Sequence, residues 1–134
     1  MKIERFLPDT CAWIDFFNAR QTPLATAVEN ALLHGEVYTC GIVKYELVQG
    51  VRSEKQEKAL LDGLRAVSFL EMTESLWIKA GRLSSVLRKK GVTIPLSDII
   101  VAVLALENGL TVLTVDRHFE PVPELRVAKV HKQV

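Results

Sequence analysis

Four acidic residues border or flank the apolar segments of this chain, and their side chains could together support metal chemistry: Asp9, Glu46, Asp98 and Asp116. Carboxylates that converge on one point repel one another unless some are protonated or a cation lies between them. Oxygen ligands without histidine or cysteine select hard cations, so the expected ion is Mg²⁺ or Mn²⁺. Such an ion lowers the pKa of a bound water and neutralises charge on a phosphoryl oxygen. The four acids therefore predict metal-assisted hydrolysis of phosphodiester bonds.

The first half of the sequence predicts two strand–helix units that would carry the first two acids. Threonine is a good helix cap, proline suits the first helical position, and glycine often follows the last one. The predicted elements are a strand over Ile3–Leu7, a helix capped by Thr10, a helix from Thr22-Pro23 to Gly35, a strand over Glu36–Cys40, and a helix after Gly41 that contains Glu46.

The second half contains one ambiguous segment, Asp98–Leu106. It is apolar throughout after its first residue, so periodicity does not distinguish a buried helix from a buried strand. Asn108-Gly109 could form a hairpin turn, but it also ends helices, and Ser97-Asp98 is a good helix cap, so we favour a helix. The other predicted elements are a helix capped by Ser53, a helix from Thr73 to Gly91, a strand over Leu110–Val115 and a last strand over Arg126–Val130.

Strand–helix alternation predicts an α/β fold, in which helices cover both faces of a mostly parallel sheet. Parallel strands all end at the same edge of the sheet, and open α/β sheets bind ligands there. A ten-residue helix of about 15 Å and a six-residue strand of about 20 Å run in opposite directions, which returns the chain from Asp98 to this edge at Asp116. We expect all four acids to converge there, although each alone could be a cap, a turn residue or a solvated side chain.

Length and composition narrow the class of protein. The 134 residues, 49% of them hydrophobic and 25% charged, predict a single domain over residues 1–134. A net charge of +1 lacks the basic excess usual in nucleic-acid binders, so binding of a nucleic acid would depend on a local site. The longest apolar run, Ile99–Leu106, is too short to span a membrane, and the first ten residues lack a signal-peptide pattern. We expect a cytoplasmic protein in which Cys11 and Cys40 stay reduced.

Four motifs resemble, in order, those of the PIN-domain family: PDTCAWIDFF, VKYELVQGVR, and the third and fourth within LRKKGVTIPLSDIIVAVLALENGLTVLTVDRHF. Their order and spacing are similar to those of VapC-like toxins of bacterial toxin–antitoxin pairs. The resemblance implies a three-layer PIN-like fold and a Mg²⁺-dependent (or Mn²⁺-dependent) endoribonuclease, held inactive by a cognate antitoxin and often a homodimer. It implies that the catalytic and metal-binding residues are Asp9, Glu46, Asp98 and Asp116. From their shared edge we expect Asp9 and Asp98 to be the principal direct ligands, with the other two completing the set.

Residues around the last acid are candidates for binding substrate. The resemblance implies that Thr114 supplies a hydroxyl for substrate or water, although threonine is also simply a good strand residue. Arg117 and His118 follow Asp116 and could contact a phosphate, or could be ordinary surface residues.

Pro8 departs from the resemblance, because the family usually has an aliphatic residue before the first acid. Proline has no N–H, so a central first strand must end before it or bulge there. The expected consequence is a small displacement of Asp9.

Two other classes of function stay open. A receiver-like phospho-acceptor domain also gathers aspartates and Mg²⁺ at strand ends, but it calls for an acid pair after the first strand, which is missing here. A catalytically inactive PIN-fold interaction module is the other, and the full set of four acids argues against it. For a partner protein we expect an apolar helix near Phe16 and Trp77 that brings an arginine or lysine towards Asp9 and Asp116.

Overall fold

A five-stranded parallel sheet with the strand order β3-β2-β1-β4-β5 is the framework of the computed structural model, which describes residues 2–128 and 130. The predicted α/β class with a mostly parallel sheet is confirmed. The strands are β1 (Arg5–Pro8), β2 (Glu36–Cys40), β3 (Ser68–Leu70), β4 (Thr111–Leu113) and β5 (Arg126–Val127). The helices are α1 (Thr10–Phe17), α2 (Pro23–His34), α3 (Gly41–Gln49), α4 (Glu54–Leu64), α5 (Glu74–Lys89) and α6 (Leu96–Asn108), and a 3₁₀ turn covers Arg117–Phe119.

The direction of the chain across the sheet reverses beside β1, the central strand. From β1 the chain moves outward to β2 and β3, and then crosses back to β4 and β5 on the other side. Crossovers between parallel strands are right-handed, so the helices before β3 and those after it cover opposite faces. The carboxyl ends of β1 and β4 therefore flank the topological switch point, the place where open sheets bind ligands.

The apolar run of α6 forms a central part of the core. Every residue from Ile99 to Ala105 is buried, which explains why the run shows no helical periodicity. Gly109 ends the helix in the left-handed conformation with φ 64°, so the helix is confirmed and the hairpin alternative is wrong. No helix in the described ranges is long and apolar enough to cross a membrane.

Helix caps match the sequence in part. Thr10 does not cap α1, because the carboxylate of Asp9 accepts the N–H of Cys11 instead. Asp98 lies within the first turn of α6 and not at its cap, because that helix already begins at Leu96. Three predicted caps are confirmed, each accepting the backbone N–H three residues further on: Thr22, Ser53 and Thr73.

The strand Glu36–Cys40 is confirmed with its predicted bounds, the other three predicted strands are shorter than expected, and one strand was missed. β3 follows α4 closely and has only three residues, too few to show an alternating pattern. β4 ends at Leu113 and not at Val115, because the chain turns there to form the site described below. β5 covers two residues and does not extend to Val130; within the predicted range, Lys129 lies outside the described residues.

Pro8 ends β1 in regular register, opposite Leu113 of β4. The next N–H, that of Asp9, donates to the carbonyl of Leu113 at 3.0 Å. Successive N–H groups of a strand point to opposite sides, so an N–H at Pro8 would face β2, whose register with β1 covers only Arg5 and Phe6. The proline therefore leaves the pairing of β1 with β4 intact, and β1 ends in register with β4 without the expected bulge.

Candidate active site

Three aspartates meet at the switch point between β1 and β4. Asp9 directly follows β1 and caps α1, Asp98 lies in the first turn of α6, and Asp116 caps the 3₁₀ turn three residues after β4. The charges of Asp9 and Asp116 both act on Asp98 and contribute to raising its pKa. The predicted convergence of these three acids on one edge of the sheet is what the structure shows.

Asp9 is the most deeply placed of these acids, with only 7% of its surface exposed. Its Oδ1 accepts the backbone N–H of Cys11 at 2.7 Å, and its Oδ2 accepts the hydroxyl of Thr114 at 2.9 Å. Burial raises the pKa of this carboxyl, and both hydrogen bonds oppose the rise. Asp9 is thus held in a fixed orientation with its negative charge only partly compensated.

Thr114 links two of the acids through a buried hydroxyl. The hydroxyl donates to Asp9 and accepts the backbone N–H of Asp116 at 2.9 Å. The residue is 3% exposed, and its oxygen also lies 3.6 Å from the Sγ of Cys11. These contacts position carboxylates, while the predicted contact with substrate stays a prediction.

His118 lies against the other two aspartates. Its Nδ1 is 2.8 Å from Oδ2 of Asp98 and 3.0 Å from Oδ1 of Asp116. The hydrogen bond to Asp98 raises the pKa of the imidazole. Burial raises the pKa of Asp98, with further contributions from the charges of Asp9 and Asp116, and the His118 contact opposes these effects. His118 is therefore a direct neighbour of the acidic cluster.

Glu46 joins the site through a neighbour of Asp9. Its Oε1 accepts the hydroxyl of Thr10 at 2.6 Å, which ties α3 to the first residue of α1. Glu46 is half-buried, and this hydrogen bond links it to the other acids only through the residue next to Asp9.

The side chain of Arg117 points into solvent and makes no ion pair with the four acids in the described part of the chain. Its side chain is 86% exposed and forms an ion pair with Glu120 at 3.2 Å. Its exposed side chain is accessible to an incoming anion that would compete with Glu120, and its predicted contact with substrate stays a prediction.

The donor set fits a divalent cation. Among the described residues, His118 is the only side chain able to carry a positive charge within ion-pair distance of the four acids. Carboxylates that repel one another and lack a lysine or arginine to neutralise them favour a bound cation. When bound, such an ion supplies a water of lowered pKa and neutralises charge on a phosphoryl oxygen. The protein's own contribution is to fix the carboxylates through Thr114, Thr10 and the Cys11 N–H.

Cys11 was not expected to take part in the site. Its backbone N–H holds Asp9, and burial together with the charge of Asp9 raises the pKa of its thiol to about 11. The sequence signal for this role is that Cys11 stands two residues after Asp9. An aspartate that caps a helix accepts the backbone N–H of the residue two or three positions further on. Cys11 and Cys40 are both free thiols.

An apolar groove lies next to Glu46, between α1, α3 and α4. Its volume is about 230 Å³, and its lining includes Ile14, Phe17, Leu47, Ala59 and Leu60. Phe16 lines a separate cavity beside the start of α2, and Trp77 lines a third one beside β3. The predicted partner surface near Phe16 and Trp77 is therefore divided among separate cavities.

The fold and site define an open α/β domain with an acidic cluster at its switch point. The family model of the PIN domain matches residues 6–125, and the chain belongs to the PIN domain family. Ribonuclease VapC21 of Mycobacterium tuberculosis (strain ATCC 25618 / H37Rv) is 25% identical over 132 residues, which cover 96% of this chain and 90% of that protein.

Solved structures of toxin–antitoxin proteins share the fold, among them one from Klebsiella pneumoniae and one from Mycobacterium tuberculosis. A toxin–antitoxin complex from Klebsiella pneumoniae matches with a TM-score of 0.78 at 19% identity, covering 96% of this chain and 99% of that one. VapC20 of Mycobacterium tuberculosis, a sarcin–ricin loop cleaving toxin, matches with a TM-score of 0.68 at 19% identity, covering 90% and 98%.

Proposed function

We propose that this protein is a metal-dependent endoribonuclease that acts as the toxin of a toxin–antitoxin pair. The observation that carries the proposal is the meeting of Asp9, Asp98 and Asp116 at the switch point of a PIN domain. The relative named as a ribonuclease and the neighbour named as a toxin support it. The family match sets aside the receiver-like alternative, and the inactive interaction module becomes an outcome of the test below.

In this proposal the four acids hold Mg²⁺ or Mn²⁺. Asp9 and Asp98 are direct ligands, and Asp116 and Glu46 complete the set, some of them through water. The oxygens of Asp9 each accept one hydrogen bond, and a carboxylate oxygen has a further lone pair for a metal. Hydrolysis then proceeds by attack of water on a phosphodiester that lies over this cluster.

RNA binding needs a local cationic surface, since the net charge is only +1. Arg88, Lys89 and Lys90 are exposed at the end of α5. The short connection to Leu96 keeps them at the same end of the molecule as the first turn of α6, which carries Asp98. We propose that this basic run contacts the RNA backbone, so replacing all three by alanine weakens RNA binding and its salt dependence without loss of metal binding.

The groove beside Glu46 is the proposed docking place for a helix of the cognate antitoxin. Its apolar lining suits the apolar face of a helix, and its acidic end suits a basic side chain from that helix. Ala59 is exposed within it, so Ala59→Arg should abolish co-purification of the antitoxin while RNA cleavage continues. Ala66→Arg, at an exposed position outside the groove, is the matched control.

The homodimer stays a prediction, and an aromatic surface beside β3 is its proposed interface. Tyr45, Phe69 and Trp77 are 61%, 43% and 49% exposed and line one cavity, contributed by α3, β3 and α5. A net charge of +1 offers little repulsion between two copies. Light scattering should show a dimer that Trp77→Glu converts to a monomer; a monomeric wild type would refute the proposed homodimer.

We also propose a cytoplasmic location, where both thiols stay reduced.

The test of the function is RNA cleavage by the purified chain without antitoxin. A panel of structured RNAs that includes a sarcin–ricin loop hairpin is incubated with Mg²⁺ or Mn²⁺, or with a chelator. We expect internal cuts only when metal is present, and their suppression by the co-expressed antitoxin. A folded chain that binds the antitoxin but cuts no RNA with either metal would instead identify an inactive interaction module.

A further inference from the structure

One group of side chains offers a nitrogen donor beside carboxylates. Among the described residues, the ligand atoms of Asp98, Asp116 and His118 all lie within 4.8 Å of one another. Sequence reasoning treated the site as a set of oxygen ligands and placed His118 outside it. The structure therefore changes the chemistry of the donor set, and this change bears on which metal the site takes.

The backbone fixes His118 in this position. Oδ1 of Asp116 accepts the backbone N–H of His118 at 2.9 Å, which begins the 3₁₀ turn. The neighbouring Phe119 is 1% exposed and anchors that turn in the core. The imidazole is half-exposed, so its Nδ1 faces the two carboxylates while the site remains open to ions from solvent.

The spacing of the donor atoms is that of ligands around one ion. In an octahedral site with metal–ligand bonds of about 2.1 Å, adjacent ligand atoms lie about 3.0 Å apart. The distances from Nδ1 of His118 to Oδ2 of Asp98 and Oδ1 of Asp116 are 2.8 and 3.0 Å. Nδ1 of His118 thus stands at ligand spacing from one oxygen of each aspartate, and the ligand atoms of all three side chains lie within 4.8 Å of one another.

We propose that His118 is a direct ligand of the divalent metal through Nδ1, and that the site consequently prefers Mn²⁺ to Mg²⁺. Carboxylates suit both ions, whereas imidazole is a poor ligand for Mg²⁺ and a better one for transition metals. This inference rests on the proposed function and adds a ligand and a metal preference to it. A histidine that only orients Asp98 by a hydrogen bond would give no such preference.

Pulsed electron paramagnetic resonance of the Mn²⁺ complex distinguishes these two roles, because a coordinated imidazole nitrogen modulates the spin echo. The chain has three histidines, His34, His118 and His131. We expect the nitrogen modulation in the wild type and in the control His34→Ala/His131→Ala, and its loss in His118→Ala. Competition titrations should show that His118→Ala lowers the ratio of Mn²⁺ to Mg²⁺ affinity by about tenfold.

The outcomes separate this inference from the function on which it rests. Mn²⁺ that binds the wild type with no nitrogen modulation, or with a modulation that persists in His118→Ala, overturns His118 as a ligand and leaves the nuclease intact. An unchanged ratio of Mn²⁺ to Mg²⁺ affinity in His118→Ala overturns the proposed preference. A folded wild type that binds neither ion contradicts the metal-dependent nuclease itself.

Discussion

Thr114 donates its hydroxyl proton to Oδ2 of Asp9 across 2.9 Å, although the two residues are 105 positions apart in the chain. The contact joins the end of the central strand β1 to the residue that follows β4. The same hydroxyl accepts the N–H of Asp116, so one buried side chain fixes two acids of the site. Positioning of the carboxylates therefore depends on a neutral residue that carries no metal chemistry of its own.

Removing this hydroxyl tests its positioning role. Thr114→Val should lower the free energy of unfolding by about 1–3 kcal/mol, because it leaves a buried carboxylate short of a donor. It should also weaken Mn²⁺ binding, and Thr114→Ser should restore both, as calorimetry and titration can measure. Thr39→Val is the matched control: Thr39 is fully buried on β2, and its hydroxyl has no partner among the described residues. That change should be neutral or stabilising, and an equal loss in both valine variants would refute the positioning role.

Asp98→Asn should stabilise the metal-free protein while it removes metal-dependent activity. The pKa of Asp98 is raised by burial and by the charges of Asp9 and Asp116, and the side chain does not cap α6. A neutral amide relieves that repulsion, so thermal unfolding in chelator at pH 8 should show a gain of about 1 kcal/mol. The gain should shrink as the pH falls towards the carboxyl range, since a group with a raised pKa destabilises the fold only once it is ionised. A variant that unfolds would show instead that the carboxylate is needed for folding.

The His118 contact should also make the free energy of unfolding depend on pH, in a window at higher pH than that of the carboxyl group. Its pKa is raised in the folded state by the hydrogen bond to Asp98. The stability that it contributes is therefore fully present below its ordinary pKa of about 6.5 and is lost as the pH rises through the folded value. Melting curves in chelator should show a deficit of His118→Ala at pH 5.5 that disappears at pH 9. In an Asp98→Asn/Asp116→Asn background the deficit should be absent at both pH values; its persistence there would contradict this origin.

The thiol of Cys11 should react slowly despite its place beside the site. Its pKa is raised from 9.0 to about 11, so the reactive thiolate is about a hundredfold less populated than in an unfolded chain. Alkylation by iodoacetamide at pH 8, followed by mass spectrometry, should label Cys11 readily only after denaturation. Rapid labelling of Cys11 in the native chain would show that the thiol is not held as the structure has it.

The sequence predicted the sheet class and the meeting of the acids because both follow from chain direction alone. Asp9 and Asp116 each come after a parallel strand, and the carboxyl ends of such strands share an edge. The short strand Ser68–Leu70 escaped prediction because tertiary pairing with β2, and not its own pattern, makes it a strand.

Local signals at the site were harder to interpret, because one residue can serve a cap and a site together. Asp9 acts both as the cap of α1 and as a site carboxylate, so the cap signal was assigned to Thr10 instead. His118 was predicted to contact a phosphate or to be an ordinary surface residue, because sequence does not show that the turn after Asp116 directs its ring back to Asp98. The contact depends on three-dimensional positions that residue spacing alone does not give.

The most direct test of the central claim is single-turnover cleavage of a structured RNA as a function of Mn²⁺ concentration, with binding of the ion measured in parallel. The account predicts that cleavage rises with occupancy of the site and that Asp98→Asn, verified as folded, loses both binding and cleavage. Cleavage that persists in chelator, or that Asp98→Asn retains in full, would contradict a nuclease whose chemistry depends on these carboxylates.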